Sequence, residues 1–456
     1  MVQVAPAEDK LDFKRVLPIF VIVLVDLLGL TIIIPLLPLY AASFGATPFW
    51  IGVLGAAYPV MQFLAAPILG RLSDRYGRKP ILLISQLGTF AGFILLAAAT
   101  TFPMLFLSRI IDGLSGANIA TAQAAITDST NEKTRTQGLG LIGAAFGLGF
   151  IIGPVIAFAS LALTGNDYRA PAVIAALFSL LSILLTQFWF KETLPVEQRG
   201  LGKNKASFTF IAMFDALKHP TVGILLILIF AQQVAFGGFE QFLALFTLGR
   251  LGLNAAGNSI VFVFIGVIVV AVQGYFIGRW SRRFGDPRLI LAGLLLLALG
   301  LALTAMTPKQ PVPWYNESAI EQEMGGGRRL PGGTPPTQGV SVPLPPGDES
   351  TGWLGLAWLL VAMVPASIGG GILQPAINSL ITKRVTVTER GGILGISAAF
   401  LSAANAIAPL LGGILFQWGG SSTPFWVWSI TMAVLAGLAF LRIRPTEGAP
   451  PQTSPA

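Results

Sequence analysis

Stretches of about 20 apolar residues recur from one end of this chain to the other, and they constrain its fold more than any other feature. A helix needs about 20 such residues to cross about 30 Å of hydrocarbon. Twelve stretches qualify, near 16–40, 50–70, 81–99, 103–126, 137–163, 171–190, 220–248, 257–278, 288–307, 352–382, 391–417 and 425–444. Hydrocarbon offers backbone polar groups no partner, so spanning segments are helices or closed barrels. No stretch alternates with the two-residue period of barrel strands, so the predicted class is an all-α membrane protein of twelve transmembrane helices. The first stretch is too long for a signal-peptide core and lacks a small-residue cleavage site. Charge agrees: 11% of residues are charged, against about 25% in a soluble domain. There is no Cys and a single His, His219, which excludes disulfides, thiol chemistry and a His-built metal cluster. No metal and no cofactor are expected.

The basic residues orient the spans. With the first segment inside, 23 of the 29 Lys and Arg fall in cytoplasmic segments, 5 in outer ones, and Arg109 alone within a span. Cytoplasmic loops carry an excess of Lys and Arg, so both termini are predicted in the cytoplasm of a multi-pass protein of the cytoplasmic membrane. The same bias explains the formal net charge of +8 without a nucleic-acid partner.

The longest cytoplasmic loop, 191–219, divides the spans six and six. The predicted organisation is an N-terminal segment 1–15, a six-helix half 16–190, that loop, a second half 220–444 and a tail 445–456. Within the loop, Phe208, Ile211, Phe214 and Leu217 have helical spacing; a helix lying in the interface and a linker with a short capping helix both fit. The halves repeat. Gly70-Arg71-Leu72-Ser73-Asp74-Arg75-Tyr76-Gly77-Arg78 returns 208 residues on as Gly278-Arg279-Trp280-Ser281-Arg282-Arg283-Phe284-Gly285-Asp286. Gly116, Thr127, Arg135, Gly140 and Pro154 return 255 residues on as Gly371, Thr382, Arg390, Gly395 and Pro409. The longer offset is what an insertion at the outer loop near 308–351 would produce. Two six-helix repeats are a transporter architecture, with substrate bound between halves near the midplane. The outer loop holds nine Pro and seven Gly in 44 residues, so disorder is expected there. It carries the glycosylation triplet Asn316-Glu317-Ser318.

Gly70 through Lys79, GRLSDRYGRK, fills every position of the loop signature of the major facilitator superfamily, which the chain resembles from about residue 16 to 444 outside the long loop. Arg109, Gly113, Gly116 and Ala117 resemble the family's next motif. Gly143, Gly147, Gly149, Gly153 and Pro154 resemble the motif of its drug:proton antiporters, with Ala157 in place of the final Gly. Asp26-Leu27-Leu28-Gly29, followed by Pro35 and Pro38, is similar to the first span of bacterial multidrug and tetracycline exporters. Tetracycline exporters usually carry an acid in the third span, where Gly92 aligns, which points away from tetracycline itself. The resemblance implies conformational gating by Gly70, Asp74, Arg75, Gly77, Arg78, Lys79, Gly149, Gly153 and Pro154. Glycines on one helix face also serve close packing alone, and Pro154 bends its helix. Asp74 is suited to cap a facing helix at Gly391 and hold the cytoplasmic side closed. A topogenic charge cluster accounts for Arg75, Arg78 and Lys79 but not for Asp74. Arg282 stands at its place in the second half, so such a latch would be one-sided.

Four ionisable residues fall well inside spans: Asp26, Arg109, Asp112 and Glu240. A charge at the bilayer centre costs about 2.5–3.5 kcal/mol on insertion scales, so it normally faces a cavity or a partner. Arg109 and Asp112, three apart, share a helix face and form either an ion pair or part of a proton site. Asp26, without a basic neighbour in its span, is the leading proton carrier; facing Asp112, it would share protons under the control of Arg109. Glu240 follows Gly237-Gly238 and could meet a cationic drug, line an outer vestibule or sit at a solvated helix end. The second half has no counterpart of the first three. It offers Gln232, Gln233, Gln241, Gln273, Gln374 and Asn378, and Gln123 adds an amide in the first half. An apolar cavity with few polar groups suits amphiphilic drugs better than sugars.

The reading is a proton-coupled secondary transporter and not an enzyme, one that exports lipophilic or cationic small molecules as a monomer, with the proton gradient as its energy source. Proton-coupled uptake of a small organic solute is the alternative; a receptor or membrane enzyme fits less well. No GxxxxGK[ST] loop is present, which excludes a nucleotide-driven pump.

Overall fold

The computed structural model describes residues 12–116, 118–131, 134–200, 215–219, 222–326, 342–345, 351–385 and 390–443. Ala117, Phe208, Ile211, Phe214 and the tail 445–456 lie outside them. The described chain is helical without strands. Among the described residues, eleven helices are long and apolar enough to cross a membrane. The first half holds α1 (Phe13–Ile33), α2 (Leu37–Ala42), α3 (Pro48–Tyr76), α4 (Arg78–Ala98), α5 (Phe102–Ser115), α6 (Asn118–Asp128), α7 (Arg135–Thr164) and α8 (Arg169–Phe188). The second holds α9 (Gly223–Leu251), α10 (Ala255–Ala271), a π-turn Val272–Phe276, α11 (Ile277–Phe284), α12 (Asp286–Ala305), α13 (Glu317–Gly326), α14 (Leu354–Arg384), α15 (Arg390–Gly419) and α16 (Thr423–Arg442).

Two expected spans are broken. Pro35 lies in the turn that ends α1, and Pro38 opens α2, where its missing N–H costs nothing. The fourth span, expected as one helix over 103–126, is α5 plus α6, interrupted at Gly116. That is why eleven helices qualify rather than twelve: neither piece is long enough alone. A carbonyl freed by such a break needs a new partner in the membrane. Gln62 Nε2 of α3 supplies it, donating to Gly116 O at 2.6 Å.

Each half packs mainly within itself, α1 on α7 and α8, α4 on α5 and α8, α12 on α14 and α16, and α9 on α15. Across the seam, α3 meets α15 and α7 meets α10. One face of the molecule carries the Arg71–Lys79 and Arg279–Arg288 loops and is called here the basic face; the far face is opposite. At the far end of the α3–α15 seam the backbones almost touch: a Cβ on Gly413 would lie 2.7 Å from Pro48 O. Small residues permit such approach between helices in lipid, where van der Waals contact replaces the hydrophobic drive. At the basic end of the same helices, a Cβ on Gly70 or Gly395 would meet no described residue within 4 Å. On the other seam, Gly266 abuts Phe150 O, whereas Gly140, Gly143 and Gly274 towards the basic face are open. Among the described residues, the halves are therefore joined at the far face and splayed at the basic one.

The expected disorder of the loop near 308–351 does not hold for its described residues. Val312, Tyr315, Ile320, Met324 and Val342 are buried in the main core. Val312 N–H donates to Leu251 O at 3.0 Å, and Tyr315 OH to Pro345 O at 3.0 Å. Tyr315 also lies over Gly252, whose φ of +64° ends α9. The Pro and Gly count is concentrated outside these anchors, and it hid five apolar residues that have a surface to cover. Burial pushes the Glu323 carboxyl above its ordinary value even though Tyr168 donates to it.

Candidate functional site

Asp26, Arg109 and Asp112 come together inside the first half. Arg109 Nη1 lies 3.1 Å from Asp112 Oδ2, and both side chains are almost fully buried. The guanidinium also sits over the Phe93 ring, 5.5 Å from its centroid. Asp26 Oδ2 accepts from Asn118 Nδ2, at the first residue of α6. The break at Gly116 thus sets the start of α6 where its amide reaches α1. Asp26 and Asp112 are within electrostatic reach of one another. Asp26 Oδ1 and Arg109 Nε and Nη2 are buried without a hydrogen-bond partner among the described residues. Such atoms normally find a partner or a water.

Between these groups is a cavity of about 10 Å³, lined by Asp26, Tyr58, Thr89, Phe93, Asp112 and Asn118 among others, about what one water needs. Gly92 explains how Asp112 fits: a Cβ there would lie 3.0 Å from Asp112 Cβ. The third span gives up its side chain at the position where an acid was expected, and α5 brings one into the same space. Sequence reasoning missed Asn118, Tyr58 and Thr89. Asn118 had a signal, as an amide in an apolar span six residues after Asp112.

The other polar candidates do not join this cluster. In the second half, Gln233 Nε2 of α9 donates to Asn405 Oδ1 of α15 at 2.7 Å. Glu240 is partly buried, two turns further along α9, and no hydrogen bond or ion pair of its carboxylate is described. Next to it, Gln241 lies against Gly55 of α3 across the seam. Asn378 accepts from Ser397 Oγ at 3.1 Å. Gln374 is partly buried, and Gln123 is exposed towards the basic end of α6.

The gating candidates divide. Gly149 and Gly153 face Thr31 of α1, so their contacts are within their own half. Pro154 lies within α7. In the signature loop, Gly77 takes φ +108°, a conformation that favours glycine, with Glu192 against it. Glu192 accepts from the backbone N–H of Arg78 at 2.9 Å and of Lys79 at 3.1 Å, capping α4. Lys79 Nζ donates to Gln187 O. Arg75 stacks on Tyr76. Arg78 is buried and bridges Asp74 at 2.6 Å and Asp128 at 2.9 Å. Asp74 is thus held within its own half in this splayed form, and nothing described joins it to Gly391.

The repeat carries this cluster with its signs reversed. Where the first half has Asp74, Arg78 and Asp128, the second has Arg282, Asp286 and Lys383. Asp286 is buried and accepts from Ser281 Oγ at 2.5 Å, Ser379 Oγ at 2.7 Å and Lys383 Nζ at 2.6 Å. Arg78→Asp alone is expected to reduce the yield of monodisperse protein in size-exclusion chromatography, by placing three acids together. Adding Asp128→Lys should recover most of it, since that polarity already works in the second half; no recovery would mean that the two clusters are not equivalent.

The sequence profile of the Major Facilitator Superfamily matches residues 19–320 and 350–456. The chain is 28% identical to tetracycline resistance protein class B of Escherichia coli, covering 95% of this chain and 98% of that protein. It is 25% identical to multidrug resistance protein 2 of Bacillus subtilis (strain 168), over 88% of this chain and 89% of that one. Among solved structures, the human organic anion transporter MFSD10 superposes with a TM-score of 0.62 at 22% identity, covering 93% of this chain and 99% of that one. The nucleoside transporter NupG superposes with a TM-score of 0.66 at 14% identity, covering 96% and 100%.

Proposed function

Because this chain belongs to the major facilitator superfamily, a multi-pass family of small-molecule transporters rather than enzymes, we propose that it exports lipophilic or cationic small molecules in exchange for protons. The observation that carries the reading is the Asp26–Asn118–Asp112–Arg109 cluster around a water-sized cavity. The one buried cation is paired with Asp112, which leaves Asp26 without a cation of its own, so the site holds its charge balance best with one acid protonated. Water in the cavity would connect Asp26 to Asp112, both of which line it. The names of the relatives, tetracycline and multidrug resistance proteins, support a drug as substrate.

The basic face is the cytoplasmic one in this reading, following the Lys and Arg bias. The splayed halves then open towards the cytoplasm, where a drug enters. Gln241 of α9 lies against Gly55 of α3 on the seam; with Gln233 and Glu240 of the same helix it would supply polar lining, Glu240 meeting a cation. Drug and proton act on one equilibrium between inward- and outward-facing forms, each through its differential affinity. No cofactor is involved, and the unit of transport is the monomer.

The test is transport in inverted vesicles with an imposed pH gradient, against a panel of cationic, neutral and zwitterionic drugs including tetracycline. Accumulation of at least one drug that collapses when the gradient is dissipated is expected. Accumulation indifferent to the gradient, or none for any drug, would remove the reading in favour of proton-coupled uptake of an organic solute.

A further inference from the structure

The described part of the outer loop is anchored to the two halves in different ways. To the second half, where it belongs in sequence, it is tied through its backbone: Val312 N–H donates to Leu251 O, and Gly352 N–H to Pro311 O at 2.8 Å. Tyr315 and Val342 seat against Gly252 and Gly249 of α9. Glu323 of α13 also lies close to Asn254 and Ala255, at the start of α10. To the first half it is tied by side chains. Tyr168, just before α8, donates its hydroxyl to Glu323 Oε1 at 2.9 Å and touches Met324. Tyr168 in turn stacks on Tyr40 of α2, with ring centroids 5.3 Å apart, and α13 packs against α2.

We propose that 308–326 is a strap fixed to the second half that fastens the far face shut by a detachable clasp, Tyr168–Glu323 with Met324, on the first half. Far-face opening separates α3 from α15, and it must also carry Tyr168 and Tyr40 away from α13. The backbone anchors keep the strap with the second half, because they join it to the end of α9 and to the residues just before α14. The clasp involves one hydroxyl, one carboxylate and the edge of an apolar contact, all of which can be solvated once the face opens. Ties of this kind set how often a gate opens without taking part in the chemistry behind it.

The absence of native Cys makes the test direct. Gln241, beneath the α3–α15 contact, is replaced by Cys as a reporter, and its modification by a membrane-impermeant maleimide added from the far face is timed. Tyr168→Phe keeps the ring on Tyr40 and removes the hydroxyl. It should speed modification about three- to tenfold, the population shift that one net hydrogen bond carries. An unchanged rate in correctly folded Tyr168→Phe overturns the clasp. In the reverse direction, Tyr168→Cys with Glu323→Cys, without the reporter, is joined by a reducible bis-thiosulfonate linker. Transport should fall about tenfold or more and return on reduction, as for a lid held closed; full transport while linked overturns the strap. The labelling needs no substrate, so it stands even if no drug is exported.

Discussion

Asp26→Asn is expected to stop proton-driven export while leaving the protein folded. Asparagine has the shape of aspartate, and its amide oxygen can still accept from Asn118 Nδ2 at the start of α6. The loss to stability is at most about 1.5 kcal/mol, the net worth of one hydrogen bond. What disappears is the group that can gain and lose a proton. Drug binding to detergent-purified Asp26→Asn should therefore persist but lose its dependence on pH, and accumulation in vesicles with a pH gradient should fall to that of vesicles without the protein. Drug exchange with no gradient imposed should continue, because it requires only the movement of the halves. Gradient-driven accumulation at the wild-type rate would sink the assignment of Asp26 as the coupling acid.

Arg109→Ala should have the largest effect on stability of any single substitution in the cluster. The guanidinium and Asp112 are both almost fully buried, and removing one member of such a pair typically costs about 3–5 kcal/mol because the other is left charged without a partner. Phe93 also loses the cation over its ring. The measurement is thermal unfolding of purified protein, with the folded yield as a second readout. Arg109→Met combined with Asp112→Leu separates structure from function, because it removes both charges and keeps volume. A buried pair replaced in this way often loses nothing in stability, so the double variant should unfold near wild type while exporting nothing against a gradient. Arg109→Ala of wild-type stability would mean that water reaches the pair. A double variant that still transports would make the pair structural only.

Much of this was legible in the sequence, and the parts that were not share a cause. Span length, charge bias and the repeat predicted the helices and halves, because each is a property of one segment against lipid. Asp26, Arg109 and Asp112 stood out because a charge in hydrocarbon demands a reason. Asn118 and Tyr58 did not, since their importance depends on which helix faces which. The break at Gly116 was hidden for the same reason: its freed carbonyl is satisfied by Gln62, which is 54 residues away. Gly149 and Gly153 were legible as a small-residue face, but the sequence could not say that Thr31 of the same half fills it. The outer loop misled through averaging. Its Pro and Gly density is high over 44 residues, yet Val312, Tyr315, Ile320 and Met324 lie in one stretch that finds a core.

The sign reversal between Arg78–Asp128 and Asp286–Lys383 bears on how the chain is assembled. Its halves are copies of one plan, and as they enter the membrane in turn, the signature loop of either has two similar cradles to choose from. In the wrong cradle, Arg78 would meet Lys383, and Asp286 would meet Asp128. Both errors set like charges together, so each loop is rejected by the other half's helices as well as accepted by its own. Halves of identical polarity would lack that proofreading. A chain whose two clusters had been made alike should insert with the same hydropathy and yet yield a larger share of misassembled, interlocked or aggregated protein.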